Sequence, residues 1–454
     1  MSAPVSMSRT AAAGPRPSPQ AAYSQWIEAC ANSGWRGVPA AERVPVGDGL
    51  GRVTAAPVRA RWPAPRFDCA AMDGIAISAG AIGSADAAGR WRLAASSFVW
   101  VDTGGPMPAG MDTVVERERV ERSGDGSVRI TGPAPRGLHV RSRGEDFQAG
   151  QLLIPAGHRL RPADLAAAAA AGHATLETAQ KPVAAIIPTG DEIQPIGSAL
   201  GPGDVIDSNS LLLALRTEET GARPLISDVQ PDDPDAIAAE VRRAAVTADI
   251  VLVIAGSSAG RSDYTAAVLA QVGGLAVRGV AVRPGHPVLL GYARPGRTRA
   301  DQPVTSVPVI GVPGYPLAAA VIFELFAVPL LAALQGGRPP DRVWQRAQLA
   351  CDWTSSPDVE EWVPVSLTSP PGPDASCAVV ATPSGRGAGS ISRLMRANAW
   401  WPIPIGRAKF ARGESIDVQP LPGQPYNWRG PQTLSDPAGL TAGLTRPPGG
   451  PGGG

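Results

Sequence analysis

The sequence predicts an α/β protein: a mostly parallel, doubly wound sheet flanked by two β-rich regions. Three observations carry this. Between 181 and 337, unbroken apolar runs alternate with helical stretches of about 10–15 residues, the rhythm of parallel strands covered on both faces. Residues 51–149 show short β-type runs broken by turns. Residues 341–420 show that pattern again, after a break marked by Gly336-Gly337 and Pro339-Pro340.

The chain has 454 residues, 44% of them apolar, enough for several cores. Its formal net charge of +1 lacks the basic surplus of a general nucleic-acid binder. The 53 glycines and 48 prolines follow no collagen period, so they mark turns and loose ends. Cys30, Cys69, Cys351 and Cys377 lack CxxC spacing and read as separate reduced thiols of a cytoplasmic protein. The longest apolar stretch, Leu317–Leu334, is interrupted by Glu324 and Pro329 and reads as a buried helix, so no membrane span is expected. The N-terminus has no apolar h-region of the secretory kind.

In chain order, residues 1–21 are expected to be disordered, with a helix at Tyr23–Ala31 ended by Gly34. Arg161-Pro162-Ala163-Asp164 opens an Ala-rich helix closed by Gly172. Strands follow at Val183–Ile187, Pro224–Val229, Asp249–Ile254 and Val304–Ile310. The helices between them begin near Ser208, Pro234 and Asp263, and an apolar helix ends near Leu334. Residues 422–454 read as a flexible Pro/Gly-rich tail.

Ligands of such sheets bind at the carboxyl ends of the strands. There the sequence places Thr189-Gly190-Asp191-Glu192, Gln230-Pro231-Asp232-Asp233, Gly256-Ser257-Ser258-Ala259-Gly260 and Gly311-Val312-Pro313-Gly314-Tyr315-Pro316. The Gly/Ser loop opens a helix and suits a phosphate. The nearby acids suit a divalent cation such as Mg2+ bridging carboxylate and phosphate. Each loop alone is explained as well by a tight turn or a helix cap, as with Asp233, Asp263 or Asp207-Ser208-Asn209. Four at one edge favour a site. In the β-rich insert, Asp73-Gly74 is by itself a hairpin signal, and Arg143-Gly144-Glu145-Asp146 by itself a solvated loop.

Taken as an ordered set, these segments resemble the MoeA/gephyrin E-domain family of molybdopterin molybdenumtransferases. The set runs M-D-G-I-A (72–76), T-G-G-P-M-P-A-G-M-D-T-V-V (103–115), R-G-E-D (143–146), P-T-G-D-E-I (188–193), D-S-N (207–209), D-D-P (232–234), G-S-S-A-G-R-S-D-Y-T (256–265), R-P-G-H-P (283–287) and G-V-P-G-Y-P (311–316). The resemblance covers about residues 22–420. It implies an elongated multidomain subunit: a linking domain from 22–50 and 150–180, an inserted domain at 51–149, a molybdopterin-binding α/β domain at 181–337 and a C-terminal β-barrel at 341–420.

It further implies a homodimer whose site lies between the α/β part of one subunit and the insert of the other. The implied reaction takes adenylylated molybdopterin and molybdate to molybdenum cofactor and AMP with Mg2+, without membrane or nucleic-acid partners. Residue by residue, the resemblance gives catalytic roles to Asp73, Thr103, Asp146 and Glu192, and metal binding to Asp232 and Asp263. It gives substrate binding to Asp207, Asn209, Gly256, Ser258, Gly260, Arg283, His286, Pro313 and Pro316.

The chain departs from the family pattern at His286, where lysine is usual, and at Tyr315 and Ala318. These departures keep open a non-catalytic cofactor carrier on the same fold. A generic nucleotide enzyme ranks last, since GxxxxGK[ST] is absent and no GxGxxG follows the first strand. Gly385-Arg386-Gly387-Ala388-Gly389-Ser390 fits the family's last domain, or equally a plain Gly-rich loop.

Overall fold

A computed structural model describes residues 16–37, 40–255, 261–295, 305–337, 343–368 and 379–421, with the side chains of 261–263 excepted. The chain divides into two compact units. One takes Pro182–Ala332, the regions before Val38 and after Arg338; the other takes Val38–Lys181 and Ala333–Arg338.

The first unit begins with helix α1 (Pro19–Asn32), capped by Ser18 with Pro19 in its first turn. It therefore starts inside the stretch expected to be disordered. The reason is its apolar face: Ala22, Trp26 and Cys30 are fully buried, and Trp26 Nε1 donates to Gly291 O at 2.7 Å. Residues 22–37, expected in the linking domain, fall within the same compact unit as the α/β sheet.

That sheet comprises β1 (Val183–Pro188), β2 (Arg223–Ile226), β3 (Ile250–Ala255), β4 (Gly273–Arg278), β5 (Leu289–Ala293) and β6 (Val307–Pro313), in the order β2-β1-β3-β6-β5-β4. The pairs β2-β1, β1-β3 and β3-β6 are parallel; β6-β5 and β5-β4 are antiparallel. Helices α2 (Ser208–Glu219), α3 (Pro234–Ala244) and α4 (Arg261–Val272) connect the parallel strands. Ile237, Ala238 and Val241 of α3 and Val268 and Leu269 of α4 pack on Val251 and Val253 of β3.

The closing apolar helix runs as α5 (Pro316–Ile322), a π turn (Phe323–Ala327) and α6 (Val328–Leu334). Val328 N–H bonds Phe323 O, widening the turn just before Pro329, which has no N–H to give. Pro316–Leu334 is long and apolar enough to cross a membrane, but 78% of that window is buried inside the protein, as a core helix is.

The C-terminal part is a closed ring of five strands: β7 (Gln345–Leu349), β8 (Glu360–Thr368), β9 (Val380–Pro383), β10 (Ala399–Ile403) and β11 (Ser415–Pro420). Val365, Ala381, Ala399, Ile403 and Val418 fill it. The strand pair Val282–Arg283, from the α/β part, extends β8 in parallel at Glu360–Glu361.

In the second unit, Ala41–Pro45 pairs with Thr175–Ala179 beside the helix Pro162–Ala170. The insert holds two three-stranded antiparallel sheets, Gly74–Ile77 between Phe98–Val101 and Thr113–Glu116, and Val128–Thr131 between Arg90–Leu93 and Val120–Arg122, besides the short pair Cys69–Ala70 and Val140–Arg141. Ile75, Ile77, Val115, Val128 and Ile130 form their shared core.

Candidate functional site

The carboxyl edge of the sheet gathers its loops by backbone bonds. Thr189 N–H and hydroxyl both donate to Ile254 O, at 3.1 and 2.9 Å, and Gly190 N–H donates to Gln230 O at 3.0 Å. This brings the loop bearing Glu192 beside the loop bearing Asp232, and Asp191 Oδ1 accepts from Asp232 N–H at 3.1 Å. Asp207 caps α2 through Ser210 N–H at 2.9 Å, and Asn209 Nδ2 donates to Gly314 O at 2.7 Å, fixing the turn after β6. The expected phosphate loop with Gly256, Ser258 and Gly260, and the Asp263 side chain, lie outside the described residues. Among the described residues no three acidic, His or Cys side chains form a metal cage. The donor chemistry at this edge still suits Mg2+ carried by a phosphate, which needs only one or two carboxylates.

Next to this edge, between the α/β part and the barrel, lies a cavity of about 810 Å³. Among the described residues, Arg16, Arg278, Arg283, His286 and Arg386 line it against one acid, Glu361. Glu361 is 3% exposed and its Oε1 pairs with Arg386 Nε at 3.1 Å. Arg386 also lies over the Trp353 ring, 4.7 Å from its centroid. Burial first, then the charges of Arg16 and Arg283, hold His286 below the ordinary imidazole pKa. The surplus of guanidinium groups over carboxylates favours an anion.

Of the residues singled out in the sequence, Arg283, His286 and Pro313 line this cavity together with Tyr315 and Ala318. Pro316 does not. It opens α5, where its fixed φ and missing N–H suit the first turn. Four charged lining residues are not among those singled out in the sequence: Arg16, Arg278, Arg386 and Glu361. Arg386 stood within a quoted Gly-rich segment, and Leu317 N–H donating to Ala388 O at 3.1 Å is what brings that segment here. Glu361 gave no signal, since it sits within a strand.

Asp73, Thr103 and Asp146 lie in the other unit. Asp73 Oδ1 accepts from both Thr103 N–H and Thr103 Oγ1 at 2.7 Å, and these bonds hold the exposed carboxyl below its ordinary pKa. Asp146 is exposed on the turn where its N–H donates to Ala64 O at 3.0 Å. The adjacent Glu145 is committed to Arg141 and to Ser142 N–H.

Fold and lining together define a multidomain α/β protein whose cavity, beside the carboxyl edge of its sheet, favours anions. Three family models match in sequence: the MoeA N-terminal region (domain I and II) at 18–172, a probable molybdopterin binding domain at 185–333 and the MoeA C-terminal region (domain IV) at 346–421. A molybdopterin molybdenumtransferase from Nostoc sp. is 29% identical over 393 residues, covering 82% of this chain and 87% of its own length. Molybdopterin molybdenumtransferase 2 of Mycobacterium tuberculosis is 32% identical over 337 residues, covering 69% and 80%. The crystal structure of a molybdopterin biosynthesis MoeA protein from Pyrococcus horikoshii superposes with TM-score 0.72 at 28% identity, over 89% of this chain and 98% of that one. The chain belongs to the MoeA family of molybdopterin molybdenumtransferases; it is a transferase of molybdenum cofactor biosynthesis.

Proposed function

We propose that this enzyme takes adenylylated molybdopterin and molybdate, cleaves the adenylate, inserts molybdenum at the dithiolene and releases AMP. The observation that carries this reading is the cationic cavity holding Arg283 and His286 beside the acid-bearing loops of Glu192 and Asp232. A tetrahedral oxyanion suits the former, and a magnesium-bound diphosphate the latter. Asp232 and Asp263 would hold Mg2+, which on binding neutralises diphosphate charge, with Glu192 beside them as a proposed catalytic acid. Asp207 and Asn209 shape the ligand side of α2, and Asn209 positions the Gly314 turn. Gly256, Ser258 and Gly260 are proposed to cradle phosphate.

Asp73, Thr103 and Asp146 are proposed to act from a second subunit of a homodimer. The supporting facts are the family relationship and the placement of these residues on a different unit of the chain from the α/β loops. A cytoplasmic location fits the free thiols Cys30, Cys69 and Cys351.

AMP release from adenylylated molybdopterin, measured with and without Mg2+ and molybdate, tests the chemistry. Absence of AMP under every condition refutes it. Mixing inactive Asp73→Ala and Glu192→Ala proteins tests the shared site. Hybrid dimers should regain part of the activity, and persistent inactivity counts against it.

A further inference from the structure

Arg16 lies ahead of the first helix and ahead of the first residue matched to the family, yet it lines the cavity. Its placement is built. Ala281 N–H donates to Pro17 O at 2.9 Å, and Ser18 caps the helix that Pro19 starts. The path of Arg16 also depends on Gly279. A Cβ there would lie 3.2 Å from Arg16 Nε and 3.1 Å from His286 O, and the residue has φ +76°. Only glycine gives this room at this backbone angle without strain.

The charges in the cavity are unequal. Arg386 is largely neutralised by Glu361. Among the described residues, no carboxylate pairs with Arg16 or with Arg283. Arg16 is exposed, so no packing accounts for it. Its field nevertheless reaches His286, as does that of Arg283. A guanidinium held by its backbone at a cavity wall, with no carboxylate partner among the described residues, is placed for a ligand oxygen.

We propose that Arg16 is an oxyanion-binding residue of this enzyme, delivered to the Arg283–His286 cavity by the segment preceding α1. It supplies a fork-shaped donor pair at a site where the family's usual lysine is replaced by His286. The inference rests on the reading of this cavity as the oxyanion site. The ligand class is a tetrahedral oxyanion, whether free molybdate or a phosphoryl group of the pterin substrate.

The test is calorimetric titration of the full chain with molybdate and, separately, with inorganic phosphate, in wild type, Arg16→Gln and Arg16→Lys. Arg16→Gln should weaken molybdate binding about tenfold, the size of one charge-assisted hydrogen bond. Arg16→Lys should lose less, and the melting temperature should not change. Equal weakening for phosphate assigns Arg16 to oxyanions generally, whereas weakening for molybdate alone assigns it to the metal oxyanion. Independently of any ligand, the His286 imidazole should titrate higher in Arg16→Gln, since a facing positive charge is gone; Arg278, Arg283, Arg386 and Glu361 also line the cavity and stay in place. Unchanged affinity and an unchanged His286 titration overturn the proposal. If wild type itself takes up neither anion, the cavity reading falls and this inference with it.

Discussion

Asp73 Oδ1 accepts two hydrogen bonds from Thr103, one from its N–H and one from its hydroxyl, each 2.7 Å long. Both stabilise the carboxylate over the acid, and Arg117 adds to this, so Asp73 stays ionised well below neutral pH. Thr103→Val keeps the N–H bond and removes the other. The Asp73 pKa should then rise toward the ordinary value, visible in a carboxyl NMR titration. Cofactor output should fall about tenfold with Thr103→Val. It should fall about 10²–10⁴-fold with Asp73→Asn, as for loss of a positioned acid–base group. An Asp73→Asn enzyme of full activity would remove Asp73 from the chemistry.

Asn209 ties helix α2 to the turn after β6 through Gly314 O, while its Oδ1 is buried without a partner among the described residues. Asn209→Ala should cost about 1 kcal/mol in urea unfolding, one hydrogen bond's worth. Asn209→Asp should cost more, because it sets a carboxylate against a carbonyl oxygen. The reverse order would mean that Asn209 does not hold the turn.

The inner strands of the parallel half were legible because each is an unbroken apolar run, as in Ile250–Ala255, whereas the edge strand β2 opens on Arg223 and is largely exposed. The β4–β5 hairpin was not legible. It opens on Gly273-Gly274, which lack strand propensity and are tolerated because β5 approaches so closely that a Cβ on Gly273 would lie 2.2 Å from Tyr292 O. The N-terminal helix was read short, because a Ser/Pro-rich segment signals disorder unless something buries it, and Trp26 does. The site was half legible. Local motifs exposed Arg283 and His286 of the cavity, but Arg16, Arg386 and Glu361 reach it only through packing that no local pattern encodes.

Arg216 of α2 pairs with Glu324 of the π turn and with Glu219 of its own helix. With side-chain exposures of 21% for Arg216 and 20% for Glu324, the pair is screened only in part. Glu324→Leu should destabilise by about 1–3 kcal/mol, since a half-buried guanidinium loses its main partner. Arg216→Met combined with Glu324→Leu should cost less than the sum of the two single changes. A double-mutant cycle with zero coupling would show that the pair contributes nothing.

His286 shares the lining of the cavity with Arg16, Arg278, Arg283 and Arg386 and with Glu361, the one acid there among the described residues. Burial, then Arg16 and Arg283, lower its pKa, so it takes up a proton at a lower pH than an ordinary imidazole. A protonated imidazole attracts an oxyanion and a neutral one does so only as a single donor. Molybdate affinity in the wild type should therefore strengthen as pH falls through that lowered value. His286→Lys places a charge there at every pH up to the lysine range. It should bind molybdate more tightly than wild type at pH 7.5, by about tenfold, and its affinity should stay flat between pH 5 and about 8. In cells lacking this transferase activity, the lysine variant should restore molybdoenzyme activity at lower molybdate than the natural chain. An affinity that is pH-independent in the wild type and unchanged in the variant would place His286 outside the anion's reach.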